Sequence, residues 1–268
     1  METKVIVATH KEYPMLQGKE FTAYSPMLVG SNGKENPVGY LRDDFGDNIS
    51  NLNANFSELT GLYNLWKNYD VDVKGIVHYR RYFKTSHGNH NANNVFNNIL
   101  TTSEIESAMN GYDAILPKKR NYYIESNKSH YVHAHHNEPL DLLSSIIEKD
   151  YPEYVDIYRD MLKSTKAHMF NMFIMKTEYF DEYCSWLFDI LFKVRTELDL
   201  TGYSVQEARV FGFLSELLLD VWMKKNEVSF VEKPVLYIEK QHVVQKAALL
   251  LKRKLLRGGS SHIKSSLD

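Results

Sequence analysis

Two short runs of strand character enclose one helix-period segment, and that order constrains the fold more than anything else in the chain. The first run is KVIVATH (4–10), β-branched and apolar, ended by His10-Lys11 and then Pro14. The second is VDVKGIV (71–77). Between them, NANFSELTGLYNLWKN (53–68) sets Phe56, Leu59, Leu62, Tyr63 and Trp66 at helical spacing, with Asn53 or Asn55 as the cap. Strand, crossover helix and strand make a βαβ-like unit, which predicts an α/β fold whose sheet is flanked by helices.

The rest of the chain extends that pattern. Residues 11–52, including SNGKENPVGYLRDDFGDNIS (31–50), read as a long polar loop, and so does the asparagine-rich SHGNHNANNVFNN (86–98). Ser103 as N-cap with Glu106 in the capping-box position predicts a short helix, followed by a strand at DAILP (113–117). RNYYIESNKSHYVHAHH (120–136) reads as loop, and residues 139–162 as two helices divided at Tyr151-Pro152. NMFIM (171–175) is a buried strand leading into an amphipathic helix, and residues 206–225 form one apolar helix striped by Phe211, Leu214, Leu218 and Val221. VSFVEKPVLYIEK (228–240) reads as a late strand pair or an extended tail.

Residues 1–240 are expected to form one domain, with 241–268 as a tail of different character. There Lys246, Lys252, Arg253, Lys254 and Arg257 interleave with leucines, the composition of a basic amphipathic helix that packs on the domain or lies on an anionic membrane surface.

Composition removes several classes. A formal net charge of −2 gives no chain-wide basic field, so nucleic acid is not an expected partner and any phosphate-directed charge is local. The lone Cys184 sits in an apolar helical context, which excludes a disulfide framework or thiolate zinc site and points to the cytoplasm. The N-terminal apolar run is too short for a signal peptide, and nothing approaches the roughly 18 apolar residues a spanning helix needs. The 18 Tyr and 13 Phe can fill a core, and they also suit a cleft that stacks on sugars.

Four constellations could carry chemistry. HYRRYF (78–83) ends a strand with charge; if the chain stays extended, His78 and Arg80 share one side and Tyr79 and Arg81 the other. Ligands of open α/β sheets sit outside the carboxyl ends of strands, where a guanidinium can fork onto a diphosphate or carboxylate. The plain alternative is an Arg–carboxylate cover for the sheet end. His130, His133, His135 and His136, with Glu138 and Asp141 following, could bind zinc in a hydrolase or hydrogen-bond a polar ligand beside Tyr122, Tyr123 and Tyr131. Asp43, Asp44 and Asp47 are an oxygen set for Mg or Mn, or a turn. Glu216, a carboxylate in an apolar helix, is a base whose proton affinity burial raises, a solvent-facing helix residue or a partner for Arg209.

Taken together, HKEYPM, GDNISNLNANFSELTGLYNLWKN, GIVHYRRYF, DAILPKKRNYY, NMFIMKTEYFDEYCSWLFDILF and RVFGFLSELLLDVW resemble, in order over residues 4–225, the DUF4422 family of bacterial glycosyltransferases from capsule, exopolysaccharide and O-antigen gene clusters. The resemblance implies a GT-A-like, Rossmann-type mixed sheet and transfer of a hexose, galactofuranose in some relatives, from a UDP sugar to a glycan, often lipid-linked. It implies Thr9, His10, Lys11, His78, Arg80 and Arg81 at the donor diphosphate. Tyr122, Tyr123, His133, His135, His136 and Asn171 would line the sugar or acceptor site, and Glu216, Asp44 or Asp47 would be the base. A D-x-D motif at a strand end is missing, so no metal cofactor is assigned; Asp43 and Asp44 are the alternative ligands for Mn or Mg. An acceptor linked to polyprenyl diphosphate would place the enzyme peripherally on the cytoplasmic membrane face. The alternatives are the metal-dependent hydrolase and a non-catalytic carbohydrate-binding module.

Overall fold

The computed structural model describes residues 1–87 and 95–239. The predicted basic helix and the domain division at residue 240 lie outside the described residues.

Eleven strands are described: β1 (Thr3–Thr9), β2 (Tyr24–Leu28), β3 (Leu41–Arg42), β4 (Val73–His78), β5 (Arg81–Phe83), β6 (Ala114–Pro117), β7 (Arg120–Asn121), β8 (Lys166–Ala167), β9 (Phe173–Lys176), β10 (Phe230–Lys233) and β11 (Val235–Tyr237). Nine of them form one mixed sheet, whose main path runs β10-β6-β9-β4-β1-β2-β3. β1 pairs in parallel with both β2 and β4, while β9 inserts antiparallel between β4 and β6. Because β6 and β10 are parallel to each other and antiparallel to β9, the carboxyl ends of β1, β4, β6 and β10 lie at one end of the sheet. The amino end of β9 joins them there.

The helices are α1 (Asn53–Phe56), α2 (Leu59–Asn68), α3 (Thr102–Met109), α4 (Asn127–Ala134), α5 (Glu138–Asp150), α6 (Val155–Lys163), α7 (Thr177–Glu197), α8 (Val210–Ser215) and α9 (Leu219–Lys225). Strand alternation divides the core between the two faces. Ile6, Ile76, Phe173 and Met175 join the large cluster with α2, α5, α7, α8 and α9, while Val5, Val7, Val77 and Ile174 join a smaller one with α3. Gly75 permits the close β4–β9 approach: a Cβ there would meet Ile174 Cγ1 at 2.7 Å. Lys74 is buried on the helical face and is accommodated by an ion pair to Asp181 at 2.8 Å.

β1, β4, β6, β9, the α5/α6 division and the late strand pair stand where the sequence places them. Six expectations change. The stretch 11–52, expected as one polar loop, carries β2 and β3 at the edge of the sheet. The helix expected over 53–68 breaks at Ser57, whose φ of 53° is left-handed, so α1 and α2 are separate. HYRRYF does not stay extended: β4 turns back at Tyr79-Arg80 into β5, pairing His78 with Arg81 and putting those two on one face. Residues 127–134 are helical, capped by Ser126 Oγ, which accepts from the Ser129 amide at 3.1 Å. The α3 capping box is Thr101 with Glu104, two residues earlier than expected. The helix expected over 206–225 divides into α8 and α9, and this break carries Glu216.

Candidate active site

The carboxyl ends of β1 and β4 and the approach to β9 converge on one cleft. Phe170 and Asn171, just before β9, hold φ of 81° and 49°, two consecutive residues in the left-handed region that costs a side-chain-bearing residue about 1–3 kcal/mol. Four bonds fix them. Glu216 Oε1 accepts the Phe170 amide at 3.0 Å, His78 Nε2–H donates to the Phe170 carbonyl at 2.5 Å, and Asn171 Nδ2 donates to Glu58 Oε1 at 2.7 Å and to the Gly212 carbonyl at 2.9 Å. Ser215 Oγ–H closes the ring onto Asn171 Oδ1 at 2.8 Å. Asn171 therefore builds the floor of the cleft, its polar atoms consumed.

Glu216 is partly open to the cleft by surface area but walled by protein. Burial first, and then the neighbouring Glu58 carboxylate, push its carboxyl up to about 7, against the Phe170 N–H and the charges of Arg81 and Arg120. Burial pushes the His78 imidazole down, so at neutral pH it is an uncharged ring donating to Phe170 rather than the cation expected for a diphosphate. His10 is lowered as well, by burial and then by Lys11, Arg80, Lys34 and Arg209. Thr9 is buried, its hydroxyl donating to the Lys11 carbonyl at 2.6 Å, so it shapes the turn after β1.

The two arginines of HYRRYF have different tasks. Arg80 Nε lies 2.8 Å from Glu239 Oε1, an ion pair whose buried N–H is not aligned as a hydrogen bond, and Tyr13 OH donates to the same oxygen at 3.1 Å. Arg81 lies over the Phe170 ring at 4.7 Å and, among the described residues, pairs with no carboxylate. Arg209 donates through Nε to Ser57 Oγ at 2.9 Å rather than pairing with Glu216. Glu58 and Arg209 complete the charge pattern; Glu58 carries no sequence signal as a site residue, looking like an ordinary residue at a helix end, and Arg209 is marked in the sequence only as a partner for Glu216.

The acidic group is structural. The buried Asp43 accepts from Gly30 N, Ser31 N, Ser31 Oγ, Ser50 Oγ and Thr60 Oγ1, five donors that fill both carboxylate oxygens. Asp44 is bound bidentately by Arg42, which holds its carboxyl below the usual range. Asp47 accepts from Tyr63 OH at 3.1 Å. Neither the Mn or Mg alternative at Asp43 and Asp44 nor a base at Asp44 fits this bonding, and Asp47 stands exposed on the loop beyond β3.

The histidines diverge. His130 and His133 reach Glu125 through Nδ1 at 3.0 and 2.9 Å, His135 stacks on Phe213 at 4.0 Å, and His136 Nε2 lies 3.2 Å from Glu207. Among the described residues no three potential metal ligands converge, so the zinc-hydrolase alternative has no centre to stand on. Tyr122 is buried and stacked on His130 at 3.8 Å, while Tyr123 projects into solvent.

The family described as a domain of unknown function, DUF4422, matches residues 4–227. A solved structure described as the apo form of WbbM, a bifunctional glycosyltransferase, is similar with a TM-score of 0.81 and 27% identity, over 90% of this chain and 46% of that one. The chain thus spans about half the length of that protein. No curated protein matches the sequence significantly. The expected mixed sheet flanked by helices, similar to that of a glycosyltransferase structure, is the architecture the chain has.

Proposed function

The chain belongs to the DUF4422 family, and on that premise we propose that it is a glycosyltransferase moving a hexose from a UDP sugar to a growing cell-surface glycan. The observation that carries the reading is Arg81: a guanidinium at the carboxyl end of the sheet, paired among the described residues with no carboxylate, beside a carboxyl tuned to about 7. That is the charge pattern of a donor diphosphate next to a base. The similarity to a bifunctional glycosyltransferase supports the same class.

In the proposed step an acceptor hydroxyl oxygen attacks the anomeric carbon as the bond from that carbon to the β-phosphate oxygen breaks. The hydroxyl proton passes to Glu216, and the electron pair leaves with UDP. A carboxyl with a value near 7 is half ionised at neutral pH, which suits a general base. Arg81, Arg209 and Lys11 meet the charge that grows on the leaving diphosphate. His78 and Asn171 act through Phe170 and Glu58 as positioning residues, holding the left-handed segment that offers its N–H to Glu216. Direct displacement of this kind inverts the anomeric centre. Galactofuranose as the sugar and a polyprenyl-diphosphate-linked acceptor are finer parts of the same proposal. So is peripheral attachment through the basic residues of the 241–268 tail.

A thermal-shift panel of nucleoside diphosphates, with Mn or with EDTA, tests the reading. Stabilisation by UDP in EDTA, lost in Arg81→Ala, is the expected result. No response to any nucleotide under either condition would sink it.

A further inference from the structure

Residues 118–133, which carry β7 and most of α4, border the Glu216 site through the packing of Phe170 against the Tyr122 cluster, and their exposed surface is unusual for one facing water. Tyr123 is 81% exposed and the adjacent Ile124 50%. Tyr123 holds φ of 56°, and its amide donates to Asn121 Oδ1 at 2.8 Å, so the pair is presented by a fixed turn. On α4 the exposed Val132 follows the exposed Lys128 by four residues, on the same helix face. Lys118, Lys119 and Arg120 stand exposed on the other side of the turn.

Within the stretch itself acid is scarce. The stretch holds one carboxylate, Glu125, which is buried and taken by His130 and His133. Of the four cations only Lys119 pairs with a described carboxylate, Asp220 at 3.3 Å. Cations beside an exposed tyrosine and two exposed aliphatics are the ingredients of a bilayer interface: the tyrosine sits at headgroup depth, the aliphatics reach the acyl boundary, and the cations meet anionic headgroups. A polyanion such as nucleic acid would use the cations and gain nothing from Ile124 or Val132.

We propose that this rim, led by Tyr123 and Ile124, inserts into the interface of an anionic bilayer and so sets the mouth of the Glu216 cleft against the membrane surface. The rim adjoins the cleft, since Phe170, whose N–H donates to Glu216 at 3.0 Å, packs against the cluster of Tyr122, Ala167 and Met169. It is separate from the basic tail, and it goes beyond the transferase reading because it concerns lipid contact rather than transfer.

The test uses the full chain and vesicles of phosphatidylethanolamine with phosphatidylglycerol. In Tyr123→Trp, vesicles are expected to shift the emission of the introduced tryptophan to the blue, and brominated acyl chains to quench it. Val205→Trp, at a position 89% exposed, should show neither effect. The double variant Tyr123→Ser, Ile124→Ser should partition about tenfold less while binding UDP as before. Vesicle binding without quenching at position 123 would assign the contact to another segment and overturn the proposal. Heparin reproducing the full spectral change would assign the rim to a polyanion and overturn it equally. Failure of UDP binding would leave these readouts untouched, so the two readings fail separately.

Discussion

The amide of Phe170 donates to Glu216 Oε1 across 3.0 Å from a backbone held at φ 81°. A carboxylate bonded to the main chain has a fixed direction, which a base needs more than it needs strength. Glu216→Gln keeps the size and an acceptor for that amide but cannot take a proton. Transfer should fall about 10²–10⁴-fold with UDP affinity nearly unchanged. In the unaltered chain, transfer should rise with pH and level off above about 7, the value to which burial and Glu58 push this carboxyl. A pH-independent rate would contradict the assignment.

The same group makes stability depend on pH. Its ordinary value is 4.5 and its folded value about 7, so between these the folded chain keeps a proton that the unfolded chain has lost. Stability should therefore fall as pH rises from about 4.5 to 7 and then stay level, by an amount of order 1–3 kcal/mol once water reaching the cleft is allowed for. Glu216→Gln should lack this decline. Urea midpoints of both proteins at pH 5 and pH 8 measure it; parallel changes would show that Glu216 is not the source.

Arg80 and Arg81 should separate cleanly in binding. Arg80 is engaged by Glu239, and Arg81 faces the cleft over Phe170. Losing a charge-assisted bond costs about 1.5–3 kcal/mol, so Arg81→Ala should weaken UDP roughly 10- to 100-fold in calorimetric titration with EDTA present. Arg80→Ala should change affinity several-fold at most. It should also loosen residues near Glu239, visible as faster amide exchange at Ile238, whose N–H donates to the Arg80 carbonyl at 3.1 Å.

What was legible in the sequence was what local pattern determines. β1, β4 and β9 announce themselves as β-rich runs, and Pro152 marks the α5/α6 division. Strand β2 did not, because Pro26 and a short length disguise it within a polar stretch. The turn at Tyr79-Arg80 contains no glycine, asparagine or proline. It is secured from afar, by Tyr79 N–H donating to the Ala8 carbonyl and by Ile238 N–H donating to Arg80. The break at Ser57 is equally non-local, its hydroxyl taken by Arg209 152 residues away. These two irregularities, with the break carrying Glu216, place Arg81, Glu58 and Glu216 around one cleft. Sequence marked HYRRYF and Glu216 as candidates; the hairpin that pairs His78 with Arg81 came only with the fold.

Asp43 provides the sharpest separation of a structural carboxylate from a catalytic one. Its five donors come from three segments: the Gly30-Ser31 turn, Ser50 and Thr60 on α2. In Asp43→Asn one oxygen becomes an NH2 group facing the Gly30 amide or the Ser31 amide, a donor against a donor in a buried site. Such a mismatch, with loss of the charge, should cost about 2–5 kcal/mol and lower the urea midpoint. If Asp43 held Mn or Mg instead, the variant would lose a metal-dependent shift in Tm that the unaltered chain displays. The expected result is a destabilised Asp43→Asn protein whose melting, like that of the unaltered chain, is the same with Mn and with EDTA. Because the lost bonds tie the loop after β2 to α2 rather than to the cleft, UDP affinity measured below the melting range should stay within about threefold of the unaltered value.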